Sequence, residues 1–236
     1  NLYYIENKNY IGGRYSVLSE VGMVPAYLMG LDILKIRKNL QKHFQHQNKN
    51  FLRESSIILI NLLQNNKLKN MIFFNYVPEL EQFLYWAQQL IAESLGKKNK
   101  GFLPTISKAP KDHHSLLQLY LDGPKDKFFY IFSKKIKFEK KEKMKIKKMG
   151  NKIDFLHNKT LNQIKDAQKN AFIKVLKQKN IPFREFTIKN FDEETIGEFF
   201  SYLMLETAIV GKLANINPFN QPAVEQVKIY TKNLLS

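Results

Sequence analysis

No cysteine occurs among the 236 residues, so neither a disulfide framework nor a thiolate metal site is available. That fits a reducing compartment. No uninterrupted apolar run approaches the roughly 20 residues that a membrane span needs, and Asn1 to Asn9 lack the basic and then apolar order of a secretion signal. The expectation is a soluble, cytoplasmic chain with no membrane partner. Acidic residues are also scarce, 21 against 38 Lys and Arg, which leaves a formal charge of +17. Clustered basic residues bind nucleic acid by displacing counterions from phosphates. Here much of the excess sits in Lys134 to Lys148, interrupted by Glu139 and Glu142, and the rest is thinly spread beside abundant Asn and Ile. Such scatter reads as solvated surface, and no nucleic-acid partner is expected.

Hydrophobic residues make up 44% of the chain, enough for one substantial core. Leu80, Phe83, Leu84, Ala87, Leu90 and Ile91 recur at the spacing of one helix face, with Pro78 just ahead as a helix-start residue. Before it, Met71 to Val77 is a short, almost wholly apolar run, the pattern of a strand covered on both faces. Lys127 to Phe132 and Pro182 to Ile188 give further strands. Helices are predicted over Asp32 to Gln47, Phe51 to Gln64, His113 to Asp122, Asn158 to Lys179 and Asp192 to Asn215. This alternation predicts an α/β fold with a doubly wound, mostly parallel sheet flanked by helices, whose sites lie at the carboxyl ends of strands. Lys134 to Asn151 loses periodicity and reads as a charged loop or strand extension, and Leu2 to Ile5 as the end of a strand.

Four segments carry groups capable of chemistry. In Ile11 to Ser19 (IGGRYSVLS), Gly12 and Gly13 permit a tight turn or a close backbone approach, and Arg14 can present a planar fork to an anionic oxygen. In Gln89 to Lys97, Gln89 and Glu93 stand four apart on one helix face, away from the apolar stripe, where a tuned carboxylate can act as a base. Lys111 to Gln118 (KDHHSLLQ) offers Asp112 as a helix cap ahead of His113 and His114. Adjacent histidines diverge on a helix, and no HxxxH spacing completes a metal site, so no metal is expected. Phe219 to Lys228 (FNQPAVEQVK) puts Gln221, Glu225 and Lys228 on one side of a helix. Taken singly, each segment is better explained by a surface turn, a solvated helix face or a structural histidine.

Together, and in this order, the segments resemble a known family. IGGRYSVLS and FNQPAVEQVK resemble the two signature stretches of the glucose-6-phosphate isomerase (phosphoglucose isomerase) family. QLIAESLGK looks like that family's segment with the catalytic base, and KDHHSLLQLYLDG like the one with its ring-opening histidine. The likeness runs from about Tyr10 to Lys228. Departures occur at Glu20, where the family has a small residue, at Ala214, which replaces a bulkier one, at Pro222 and Ala223, which replace an aromatic and Gly pair, and at His113, which replaces Gln.

The resemblance implies a sugar isomerase type of domain and interconversion of glucose 6-phosphate and fructose 6-phosphate, with no metal or redox cofactor. It assigns Glu93 as the base, Arg14 as the group facing the developing negative charge, His114 as the ring-opening acid with Lys228 assisting, and Gln89, Gln221, Gly12 and Gly13 as substrate-binding residues. It implies a homodimer whose histidine crosses to the neighbouring site. It also divides the chain into 1–31 (end of a first sugar isomerase domain), 32–215 (a second) and 216–236 (a C-terminal helix completing the site). The family's Gly- and Ser-rich phosphate loop and its Ser-Lys-Thr type segment are not found in this sequence, so the chain is expected to be an incomplete part of the enzyme. A non-catalytic sugar-phosphate-binding regulatory module is the alternative reading.

Overall fold

The computed structural model describes residues 4–65, 67–135, 143–144 and 153–236, without the side chains of 46–48. Its helices and strands run α1 (Glu20–Leu28), α2 (Ile33–Lys38), α3 (His46–Asn65), β1 (Asn70–Asn75), α4 (Glu81–Leu95), β2 (Leu103–Lys108), α5 (Lys111–Ser115), α6 (Leu117–Asp122), β3 (Lys127–Lys134), α7 (Leu161–Gln178), β4 (Phe183–Ile188), α8 (Glu193–Leu213) and α9 (Pro222–Leu235). The strands form one sheet in the order β2-β1-β3-β4. It is the expected parallel, helix-flanked α/β sheet. By contacts the chain divides into two compact units, one of residues 1–69, 83–104 and 191–236, the other of 70–82 and 105–190.

In the second unit, β1 and β3 run side by side from Asn70 against Lys127 to Asn75 against Phe132. Both are buried on both faces, which is why their sequences are near-continuous apolar runs without alternation. On one face Phe74 stacks on Phe172 of α7 with ring centroids 4.7 Å apart. Tyr120 of α6, Phe129, Ile131 and Leu176 close the same core. β4 contributes Phe186, stacked on Phe132 at 5.0 Å.

The first unit is helical. α2 crosses α8 at Gly197, where a Cβ would lie 1.8 Å from the Ile36 carbonyl oxygen, so only glycine permits this approach. Lys38 and Asn39 reach Glu194 at one end of the crossing, and Lys42 reaches Glu198 further along. Buried Glu206 of α8 accepts hydrogen bonds from Ser55 and Tyr202. A carboxylate kept from water needs such donors.

Several boundaries differ from expectation. The helix predicted over Asp32 to Gln47 is broken. Asp32 caps α2 through the amides of Leu34 and Lys35, and a 3-10 turn at Lys42–Phe44 precedes α3. The helix predicted from His113 splits at Leu116 into α5 and α6. Asp112 does not cap α5, since its carboxylate accepts from Ser107 Oγ and the Lys108 amide and so closes the turn after β2. β2 and α1 had no sequence signal: Pro104 interrupts the first and Gly22 and Pro25 the second. Proline is tolerated in β2 because that strand lies at the sheet edge. Most of Lys134 to Asn151 lies outside the described residues, as do Leu2 and Tyr3, and Tyr4 and Ile5 belong to no strand.

Candidate active site

The carboxyl end of α4 carries a cluster of polar contacts in the first unit. α4 buries Leu84, Ala87, Leu90, Ile91 and Leu95, which leaves Gln89 and Glu93 on its wetter side, one turn apart. Gln89 Nε2 donates to Glu93 Oε1 at 3.1 Å. The other carboxylate oxygen receives Arg14 Nη1 at 3.2 Å.

Arg14 lies in a 3-10 helix, Gly13–Leu18, and its side chain is 1% exposed. Its Nε donates to Ser94 Oγ at 2.9 Å, Nη1 also to Gln221 Oε1 at 2.5 Å, and Nη2 to the carbonyl oxygens of Pro218 and Asn220 at 2.7 and 3.1 Å. These bonds use every N–H that a guanidinium carries. One planar cation therefore joins a segment near residue 14, the end of α4 and the start of α9. Tyr15 adds its hydroxyl to Ser94 Oγ at 3.0 Å, and burial raises the pKa of that phenol. Trp86 Nε1 donates to the Arg14 carbonyl at 2.9 Å.

Gly12 and Gly13 do not form a turn that needs glycine. Gly12 is extended, with φ −67° and ψ 150°, and Gly13 opens the 3-10 helix. A Cβ at Gly13 would meet nothing within 4 Å, so the space beside it is open.

After α4 the chain reverses through Lys98 and Asn99, at φ 53° and 59°, and leaves through Gly101 at φ 133°. A side chain at Gly101 would also stand 2.8 Å from Gly96 Cα. This reversal carries Lys97, whose Nζ donates to the carbonyl oxygens of Ser94 and Asn217 at 2.9 and 2.7 Å. Burial, then the nearby Arg14 charge, pushes the Lys97 pKa down to about 8, with Glu93 acting the other way. Beside these groups lies a cavity of about 970 Å³, lined in part by Glu93, Lys97, Asn217, Asn220 and Gln221.

Of the residues singled out from sequence, the structure brings together Arg14, Gln89, Glu93 and Gln221. Lys228 is exposed on α9 and bonds Glu225 at 2.8 Å. His113 and His114 belong to the second unit. His113 meets the Tyr76 hydroxyl at 2.6 Å, and burial lowers the histidine's pKa and raises the phenol's. His114 is exposed and has no hydrogen-bond partner among the described residues. Among those residues no group of three or more His, Asp or Glu could hold a metal ion, and no helix is long and apolar enough to cross a membrane.

Sequence reasoning missed the carbonyls of Pro218 and Asn220 and the indole of Trp86. Backbone acceptors have no signature in a sequence. A signal existed only for Trp86, a lone tryptophan on the helix that also bears Glu93.

The phosphoglucose isomerase family matches residues 2–236. Among curated relatives, a glucose-6-phosphate isomerase of Methanocaldococcus jannaschii is 33% identical, with 92% of this chain and 54% of the relative aligned. One from Mycoplasmopsis synoviae is 32% identical over 95% of this chain and 53% of its own length. The chain thus spans about half the length of the curated relatives it matches. In structure, a hypothetical protein of Thermus thermophilus superposes with a TM-score of 0.83 at 26% identity, over 95% of this chain and 55% of the other. A glucose-6-phosphate isomerase of Chlamydia trachomatis superposes at 0.78 with 17% identity, over 98% and 48%, which shows a shared fold. With the match extending over nearly every residue and the same fold found in solved structures, this chain belongs to the phosphoglucose isomerase family.

Proposed function

We propose that this chain supplies the proton-transfer centre of a glucose-6-phosphate isomerase that works as part of a longer enzyme or assembly. The observation that carries the reading is Glu93, held between Gln89 at 3.1 Å and Arg14 at 3.2 Å at the edge of a cavity. The cavity's size is in the range of sites for compact ligands, about 300 to 1,000 Å³.

Isomerisation moves a hydrogen between two adjacent carbons. In the open-chain aldose, the Glu93 carboxylate takes the proton from C2 while the C1 carbonyl becomes an enediol oxygen. The C2 hydroxyl passes its proton to the C1 oxygen, and the same carboxyl returns the first proton to C1 as C2 becomes a carbonyl. A carboxylate suits both halves because it accepts and donates at one place. Arg14 contributes fixed positive charge beside the enediolate, where preorganised charge lowers a barrier most. Since all its N–H groups are engaged, a direct bond to substrate requires Gln221 Oε1 or Glu93 to yield one. Gln221 and Gln89 position the sugar phosphate, and Gly12 and Gly13 leave room beside it.

Ring opening is assigned to His114 with Lys228. The exposed, unpartnered imidazole suits a group that serves the site of a second copy, so the active form is a homodimer. The family reading also carries the division 1–31, 32–215 and 216–236, and a cytoplasmic location.

A label decides the chemistry. The complete enzyme converting glucose 6-phosphate deuterated at C2 should lose part of the deuterium to water and carry the remainder to C1 of fructose 6-phosphate. Complete retention would mean a hydride shift and remove Glu93 as the base. Binding without turnover would favour a regulatory sugar-phosphate module.

A further inference from the structure

The turn after α4 presents three lysines to one stretch of backbone. Lys97 Nζ donates to the Asn217 carbonyl at 2.7 Å, Lys98 Nζ to that of Asn215 at 3.0 Å, and Lys100 Nζ to that of Ala214 at 3.1 Å. These carbonyls belong to the end of α8 and the link to α9, where unpaired C=O groups gather and a helix dipole is negative. Lys97 differs from the other two. Its ammonium also takes the Ser94 carbonyl at 2.9 Å, so it spans from the Glu93 helix to the link. Just beyond Asn217 stand the Pro218 and Asn220 carbonyls and the Gln221 amide that hold Arg14.

We infer that Lys97 is a positioning residue for the proposed isomerisation: by joining the Ser94 and Asn217 carbonyls it fixes the link 217–221 against α4, and thereby sets Arg14 relative to Glu93. The inference rests on the proposed function for its catalytic consequence and on geometry alone for its structural one. Lys98 and Lys100 hold only the α8 side and leave the Ser94 end untouched. The Lys97 proton contributes as well. A group titrating at about 8 is charged below that pH, with all three N–H donors and a positive charge beside Arg14 and Glu93. Above it, donors and charge diminish together.

The test uses Lys97→Met, Lys97→Gln and Lys97→Arg, with Lys98→Met for comparison. In the chain itself, the Nε–H of Arg14 is followed by NMR. Its exchange with water should quicken about five- to tenfold in Lys97→Met, the equivalent of one lost hydrogen bond, less in Lys97→Gln, and little in Lys97→Arg or Lys98→Met. In the complete enzyme, Lys97→Met should lower kcat about ten- to a hundredfold with KM nearly unchanged, the size of effect that follows small misplacement of a reacting group. Lys97→Arg should restore most of kcat and move the alkaline limb of the kcat profile upward from near pH 8. Unchanged Arg14 exchange in both Lys97→Met and Lys97→Gln, or an alkaline limb indifferent to Lys97→Arg, would overturn the inference while leaving Glu93 as base. Quickened Arg14 exchange in an enzyme that never converts glucose 6-phosphate to fructose 6-phosphate would instead sustain the clamp and remove the isomerase reading.

Discussion

The end of α4 and the start of α5 hold their ionisable side chains in opposite ways. Around Glu93, each neighbour is fixed by another: Arg14 by five hydrogen bonds, Ser94 by Arg14 and Tyr15, Lys97 by two carbonyls. On α5, one histidine is tied to Tyr76 and packed edge-on against Phe74, while its neighbour is exposed. A base that must reach two carbons of one substrate gains from being held still, because reorganisation during the reaction is then small. A group assigned to the site of another copy gains nothing from partners in its own chain. The contrast separates a histidine tied into its own unit, His113, from one left open for the proposed ring-opening role, His114, although the sequence presents them as equals.

The sharpest way to break that contrast is to remove the fixed carboxylate. Glu93→Gln in the complete enzyme keeps shape and the Gln89 contact, yet should lower kcat by about 10² to 10⁴ while sugar phosphate still binds. Near-normal turnover would take proton transfer away from α4. His114→Ala should cost up to about 10² with the cyclic sugar and much less with an open-chain analogue. Equal losses would deny it a ring-opening task. Arg14→Lys preserves charge but not the planar fork, leaving the Pro218 and Asn220 carbonyls short of donors. About 2 kcal/mol of stability should go, read from a denaturant midpoint, and a midpoint equal to wild type would show that the network is dispensable.

The smallest expected effect concerns His113. Burial depresses its folded pKa below the unfolded value near 6.5, so between those two values the unfolded chain binds more protons and stability rises with pH. Stability is therefore complete above about pH 6.5 and declines as acid charges the imidazole. His113→Gln, the residue common in the family, should flatten that acid slope without moving the neutral midpoint. An unaltered slope would assign the acid sensitivity elsewhere.

The sequence made α4 legible because its apolar face and its polar face obey one period. The same period placed Gln89 and Glu93 together, as the structure has them. β1 and β3 were legible because burial on both faces leaves no alternation to confuse. β2 was not, because an edge strand tolerates Pro104 and polar residues that a central strand would reject. That Glu93 and Gln221 share a site with Arg14 followed only from family likeness. Nothing in IGGRYSVLS says that the guanidinium will spend itself on backbone carbonyls more than 200 positions away. Long-range backbone acceptors depend on how the chain closes, and no local pattern encodes that.

Trp86 is the sole indole of the protein, and its N–H is bonded to the carbonyl of Arg14. Its ring sits edge-on to Phe200, with centroids 4.7 Å apart. Emission excited near the red edge of protein absorption therefore comes from a single fluorophore tethered to that arginine's own backbone. Occupancy of the neighbouring cavity, or slackening of the guanidinium, can be followed as a change of colour and brightness in the unlabelled protein, in real time and in dilute solution.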